Sequence, residues 1–197
     1  MACRDTLHFM TTLVGLSGKD FVVMAADSQI TEDNLRTISL LTPKIVEING
    51  YLLGITGDSR PGDVLAYNWN PPAYNGEDPI QWMGKKIVPS IIRAFEQHGY
   101  DWAKQAAEDG FDYLISFDAN LFHIACDMSF ISSQEGRYGI GSGGQIALGY
   151  LYSLAPGATK TLAATKSVAR KAIEIASVLD VNTAPPVQLV VQERIFE

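Results

Sequence analysis

Apolar residues in the first third of the chain fall in short runs, not at helical spacing. Thr12–Leu16 and Phe21–Ala26 are β-rich stretches around Ser17-Gly18-Lys19-Asp20, which predicts a hairpin with a glycine-containing loop. Lys44–Ile48 and Tyr51–Ile55 flank Asn49-Gly50, the pair most favoured in a type I′ turn, and predict a second hairpin. Alternation is weak in the first run, so these strands are expected to be buried on at least one face.

The period changes in the middle of the chain. Asn68–Gly76, rich in Asn, Pro and aromatics, reads as a loop. Ile80, Met83, Ile87, Ile91 and Phe95 then recur at helical spacing, and Pro89 inside that pattern is expected to kink or split the helix. Trp102–Ala107 predicts a further short helix. Tyr113–Phe117 and Leu121–Ala125 around Asp118-Ala119-Asn120 predict a third hairpin. Gly139–Gly144 is a glycine-rich turn, followed by a helix through Leu151 and a longer one over Leu162–Leu179. In the longer helix Val168, Ala172, Ile175 and Leu179 form the expected buried stripe, with Arg170, Lys171 and Glu174 mostly away from it. Val187–Gln192 is a last strand. The order strands, two helices, strands, two helices, strand predicts α+β or layered packing and not a βαβ repeat. No internal repeat and no interdomain linker interrupts it, so one domain is expected.

Composition narrows the class. The chain has 197 residues, 47% of them hydrophobic and 19% charged, which excludes disordered, collagen-like and low-complexity proteins. A net charge of −7 argues against nucleic acid or an anionic membrane as the main partner. No apolar run approaches the roughly 20 residues that span a bilayer. Met1–Met10 has no apolar stretch of the secretory type. Two cysteines, Cys3 and Cys126, fit a reducing, cytoplasmic setting better than a disulfide framework.

Isolated polar residues carry little. His8, His98 and His123 have no metal-ligand spacing, so neither a metal nor a cofactor is expected. His123 is expected to be structural, and Cys126 to act as a small buried hydrophobe. Gly141-Ser142-Gly143-Gly144 lacks the Lys and the spacer of a phosphate loop.

Six short motifs taken in order say more. They are Thr11-Thr12-Leu13-Val14-Gly15, Ala25-Ala26-Asp27-Ser28-Gln29, Pro43-Lys44-Ile45, Thr56-Gly57-Asp58, Gly141-Ser142-Gly143-Gly144 and Asp180-Val181-Asn182-Thr183. In this order and spacing the chain resembles the proteasome β-subunit family, including the peptidase subunit of the bacterial two-tier ATP-dependent protease. The resemblance runs from Thr11 almost to the C-terminus, apart from about residues 59–110. It implies a four-layer αββα sandwich of the N-terminal nucleophile hydrolase type, with residues 11–197 as its single domain.

The resemblance also implies a threonine endopeptidase. Thr11 matches the nucleophile, and a free α-amine on that same residue, with an ordinary pKa of about 7.7–8.0, suits the role of its base. Lys44 matches the lysine beside the hydroxyl, and Asp27 the carboxylate that pairs with it. Ser142 and Asp180 match residues that position the amine and a water. Thr183 stands where the family usually has serine. Gly57 matches the donor of the oxyanion N–H. Ile55 and Ile30 are implied for the pocket of the residue before the cut bond, hence a leaning to hydrophobic or aromatic side chains.

Activity requires exposure of Thr11. Translation could start at Met10, followed by loss of that methionine, or residues 1–10 could be a propeptide removed autocatalytically. By the same resemblance the subunit is expected to assemble into a ring or helical oligomer, to accept peptides or unfolded proteins, and to work with an ATP-dependent unfoldase. Two other readings stay open: a catalytically silent subunit with an assembly or structural role and, more distantly, a small-molecule amide hydrolase of the same fold.

Overall fold

A computed structural model describes residues 8–32, 35–38, 43–105 and 110–195, with 8, 9, 31, 32, 35–38 and 105 described by backbone alone. The strands are β1 (His8–Phe9), β2 (Thr12–Ser17), β3 (Phe21–Ala26), β4 (Gln29–Glu32), β5 (Leu35–Ile38), β6 (Ile45–Ile48), β7 (Tyr51–Asp58), β8 (Phe111–Phe117), β9 (Asn120–Ile124), β10 (Phe130–Ile131), β11 (Arg137–Gly141) and β12 (Gln188–Glu193). The helices are α1 (Ser59–Asn68), α2 (Pro79–Trp82), α3 (Val88–Gln97), α4 (Trp102–Gln105), α5 (Gly144–Ser153) and α6 (Leu162–Leu179).

Two sheets form. The larger runs β10-β9-β8-β7-β1-β4-β5, with β6 also on β7, and the smaller runs β11-β2-β3-β12. Their alternating side chains build three apolar layers. Leu13, Met24, Leu52, Leu114 and Ile140 fill the space between the sheets. On the far side of the large sheet, Leu53, Tyr113, Phe117 and Phe122 meet Val64, Ile91 and Phe95 of α1 and α3. On the far side of the small sheet, Val14, Leu16, Val23 and Ala25 meet Ala147 of α5 and Ala169, Ala172, Ile173 and Ala176 of α6. Period-two burial on both faces of each sheet makes this a four-layer αββα sandwich.

The hairpins of the first third form as their turn residues predict. Asn49 and Gly50 both have positive φ, 49° and 83°, as a type I′ turn requires. Asp118 and Ala119 do the same at 48° and 60°, so that turn has two residues and Asn120 already belongs to β9. Pro89 acts as expected on the middle helix. The segment between α2 and α3, Met83–Ile87, widens into a π-helical turn just before the proline. A prolyl ring cannot donate to, and crowds, the carbonyl four residues back; the wider turn relieves that conflict. Trp102–Gln105 is helical, while the expected continuation to Ala107 lies outside the described residues.

Two expectations are corrected. The buried stripe of α6 is Thr165, Ala169, Ala172, Ile173 and Ala176, whereas Leu179 is 70% exposed. Small side chains let the helix approach the sheet closely, so residue size and not hydrophobicity sets the buried face. Cys126 is half-buried, on the margin of the helix-side core. The loop after α1 is strapped down: Trp69 Nε1 donates to Ser90 Oγ (2.9 Å), and Tyr51 Oη donates to the Pro72 carbonyl (2.8 Å). Among the described residues, no helix is long and apolar enough to cross a membrane.

Candidate active site

The site forms where the two sheets meet, at the start of β2. Thr11 and Thr12 are both fully buried. The Thr11 carbonyl accepts a hydrogen bond from the Ser142 N–H (2.9 Å). Gly141 makes that approach possible, because its φ is +84° and a Cβ there would lie 1.8 Å from the Thr11 carbonyl oxygen. Gly143 has its own reason. Its N–H donates to Thr12 Oγ1 (3.1 Å), and a Cβ there would lie 2.2 Å from that oxygen. The glycine-rich motif is thus a close backbone contact against the two threonines.

Asp27 follows the last residue of β3 and has no exposure. Its Oδ1 accepts from the Thr12 N–H (3.0 Å) and from Lys44 Nζ (2.7 Å). Its Oδ2 accepts from the N–H groups of Gln29 (2.9 Å) and Ala184 (3.2 Å). Four donors, one of them a cation, compensate the burial of this charge. Lys44 stands just before β6. Gln188 of β12 holds it there: Oε1 accepts from the Lys44 and Ile45 N–H groups (2.9 and 3.1 Å), and Nε2 donates to the Ile45 carbonyl (2.6 Å). Burial pushes the Lys44 ammonium pKa down, against the opposing pull of Asp27 and, more weakly, Asp180.

Asp180 follows the last residue of α6. Its Oδ2 accepts from Ser142 Oγ (2.7 Å) and Thr183 Oγ1 (2.5 Å), and its Oδ1 from the Asn182 N–H (3.2 Å). Partial burial raises the carboxyl pKa, but the hydrogen bonds from Thr183, Ser142 and Asn182 and the charge of Lys44 outweigh it, leaving it below its ordinary value. Thr183 Oγ1 also lies 2.5 Å from Thr12 Oγ1. The structure therefore brings Thr11, Asp27, Lys44, Ser142, Asp180 and Thr183 to one end of the small sheet. The Thr11 Oγ1 is buried with no hydrogen-bond partner among the described residues.

Gly57 lies near the end of β7 with φ of +92°, and a Cβ there would lie 2.3 Å from the Gly110 carbonyl oxygen. One edge of β7 is shared. Residues 51–54 pair with β6, the Ile55 N–H donates to the Lys44 carbonyl (3.3 Å), and Gly57 and Asp58 face Phe9 and His8 of β1. The segment preceding Thr11 thus fills a strand-shaped gap between β7 and β4 before the chain crosses to the small sheet. A cavity of about 270 Å³ adjoins the site, with Lys44, Val46, Glu47, Ile55, Asp63 and Ala66 among its lining residues. Ile55 lines it as expected; Ile30, on β4, is not among its described lining residues.

Two residues at the site have no counterpart in the sequence reading. Gln188 sits in a strand with no motif around it. Thr12 lies in a motif whose resemblance gives a role to Thr11 alone. Among the described residues, no group of three or more His, Cys, Asp or Glu side chains is placed to hold a metal ion.

No protein-family profile matches the chain, and no curated protein matches it in sequence. Solved structures match it closely in shape. Thiobacillus denitrificans BPH superposes with a TM-score of 0.73 at 19% identity, over 94% of this chain and 100% of that one. The same protein in complex with epoxomicin gives 0.71 at 21%, over 92% and 98%. A eukaryotic HslV from Trypanosoma brucei gives 0.64 at 21%, over 93% and 99%. The chain has the proteasome-like fold. The superpositions span nearly all of the sequence on this side and of the chains on the other.

Proposed function

We propose that this protein is a threonine-type peptidase subunit of a self-compartmentalising protease, with Thr11 as nucleophile once its α-amine is free. The observation that carries this reading is the convergence of two carboxylate clusters, Asp27–Lys44 and Asp180–Ser142–Thr183, on the buried start of β2. The freed α-amine takes the Thr11 Oγ1 proton as the oxygen attacks the peptide carbonyl carbon. The Gly57 N–H stabilises the tetrahedral oxyanion; such a donor is worth about 3–4 kcal/mol. The C–N bond then breaks, and the leaving amine takes the proton held by the α-amine. A water next gives one proton to the α-amine as its oxygen attacks the ester carbon; the bond from that carbon to Thr11 Oγ1 then breaks, the α-ammonium returns the proton to Oγ1, and the acid product leaves. Lys44 and Asp27 supply a fixed charge pair beside the reacting oxygen, and the Asp180 cluster orients the amine.

The cavity walled by Val46, Ile55 and Ala66 favours an apolar side chain before the cut bond. Assembly into a ring or helical oligomer, an ATP-dependent unfoldase as partner and a cytoplasmic setting belong to the same reading. It is tested on mature protein that begins at Thr11, as confirmed by intact mass. Short fluorogenic peptides with apolar residues before the bond are expected to be cut. Thr11→Ala should lower the rate by roughly 10³-fold or more while leaving assembly unchanged. Absence of hydrolysis by the mature wild type would sink the proposal.

One observation favours the silent-subunit reading. Residues 8 and 9 are paired into the large sheet, and a chain that keeps them has the Thr11 nitrogen in a peptide bond. Such a chain lacks the base. Persistence of residues before Thr11 in protein from the native source would favour this second reading.

A further inference from the structure

Thr12 is the residue at which the two carboxylate clusters join. Its backbone N–H donates to Asp27 Oδ1, and its hydroxyl lies 2.5 Å from Thr183 Oγ1. Both threonines are fully buried, so no solvent competes for these bonds. Counting protons fixes the direction of the chain. The Gly143 N–H donates to Thr12 Oγ1, which is therefore an acceptor on that side. An ionised carboxylate only accepts, so Thr183 spends its single hydroxyl proton on Asp180 Oδ2. The proton between the two hydroxyls must then come from Thr12. The series Gly143 N–H, Thr12 O–H, Thr183 O–H, Asp180 carboxylate has one polarity and no spare hydroxyl proton.

We propose that Thr12 is a positioning residue: its hydroxyl, acting through Thr183, orients the Asp180 carboxylate and holds it as an anion beside Thr11. Its influence on peptide hydrolysis rests on the reading above; its effect on Asp180 does not. A hydrogen bond donated to Thr183 strengthens the one Thr183 donates onward, since bonds in series polarise one another. The same hydroxyl anchors the turn whose next N–H, that of Ser142, clamps the Thr11 carbonyl. The other groups acting on Asp180 are Ser142, the Asn182 N–H and Lys44, itself paired with Asp27. Maturation would add the α-amine of Thr11. Of these, Ser142 belongs to the turn that the Thr12 hydroxyl anchors, so loss of that hydroxyl reaches Asp180 both through Thr183 and through Ser142.

The experiment compares mature wild type with Thr12→Val, which keeps the shape and loses the hydroxyl, and with Thr12→Ser, which keeps the hydroxyl. The titration of the Asp180 carboxyl is followed by carbon-detected NMR alongside the pH dependence of kcat. In Thr12→Val the Asp180 titration is expected to move to higher pH. The acid limb of kcat should move with it, and kcat should fall about 10- to 100-fold with little change in KM, as for a small misplacement of reacting groups. Thr12→Ser should keep the wild-type titration and remain within about threefold of wild-type kcat. It also serves if Thr12→Val fails to fold, because displacement of the Asp180 titration in the serine variant would overturn the proposal. An unmoved Asp180 titration in a folded Thr12→Val overturns it whatever the rate. A wild type that cuts no peptide overturns the peptidase reading alone, and the Asp180 titration still decides the role of Thr12.

Discussion

Asp27 and Asp180 flank the same two threonines, yet they are held in opposite ways. Asp27 has no exposure and takes four donors, three of them backbone N–H groups. Asp180 is only partly buried, and two of its three partners are side-chain hydroxyls. A buried carboxylate fixed by main chain is part of the fold, because losing a partner leaves a charge or an N–H group without compensation. A half-exposed carboxylate held by hydroxyls can be retuned by water and by proton position. The contrast separates a structural electrostatic element from an adjustable one at one site.

The largest way to break the contrast is Lys44→Met. It leaves the Asp27 charge buried without its cation and should cost about 3–5 kcal/mol in chemical denaturation. Adding Asp27→Leu should not restore stability, as it often does for a simple buried pair. The Thr12, Gln29 and Ala184 N–H groups would then lack an acceptor, at about 1–3 kcal/mol each. Full recovery in the double variant would show that Asp27 is only half of an ordinary ion pair.

Gly141→Ala acts on the turn that both clusters share. The new Cβ would meet the Thr11 carbonyl oxygen, and the positive φ adds strain, for an expected loss of about 2–4 kcal/mol by thermal or chemical unfolding. A neutral result would mean that the turn is not clamped to Thr11.

The smallest effect on stability belongs to Asp180→Asn, and it carries a sign. The Asp180 pKa is lowered in the folded protein, so the unfolded chain binds that proton more readily. Its contribution is present above the ordinary carboxylate pKa of about 3.9 and is lost as pH falls through the lower folded value. Unfolding curves of wild type and Asp180→Asn should therefore differ slightly near neutral pH and converge in acid. Activity should fall far more than stability. The reverse order would put Asp180 in the same class as Asp27.

Much of this architecture is written in local patterns. Asn49-Gly50 requires a type I′ turn, and the apolar runs around it must pair because such a turn aligns them. Pro89 cannot sit in a regular helix, and a π-helical turn precedes it. Other elements carry no local signal. β10 has two residues and β11 contains two glycines, and each exists because a longer strand, β9 or β2, offers it an edge. α1 contains Pro61-Gly62, which reads as a turn; Asp58 caps its start and burial of Val64 and Leu65 holds it helical. The buried face of α6 follows the closeness of the sheet below, a distance that no single segment encodes.

The candidate site divides the same way. The order of Thr11, Asp27, Lys44, Gly57, Ser142, Asp180 and Thr183 along the chain was enough to imply a nucleophile and its helpers by resemblance. Residue order carries chemistry, because each of those side chains has only a few roles open to it. It gave neither Thr12 nor Gln188 a part. Those assignments depend on which oxygen lies within hydrogen-bond reach of which donor. That is decided only when β2, β3, β12 and the turn at Gly141 are packed together, since hydrogen bonds act over about 3 Å and sequence distance does not measure that.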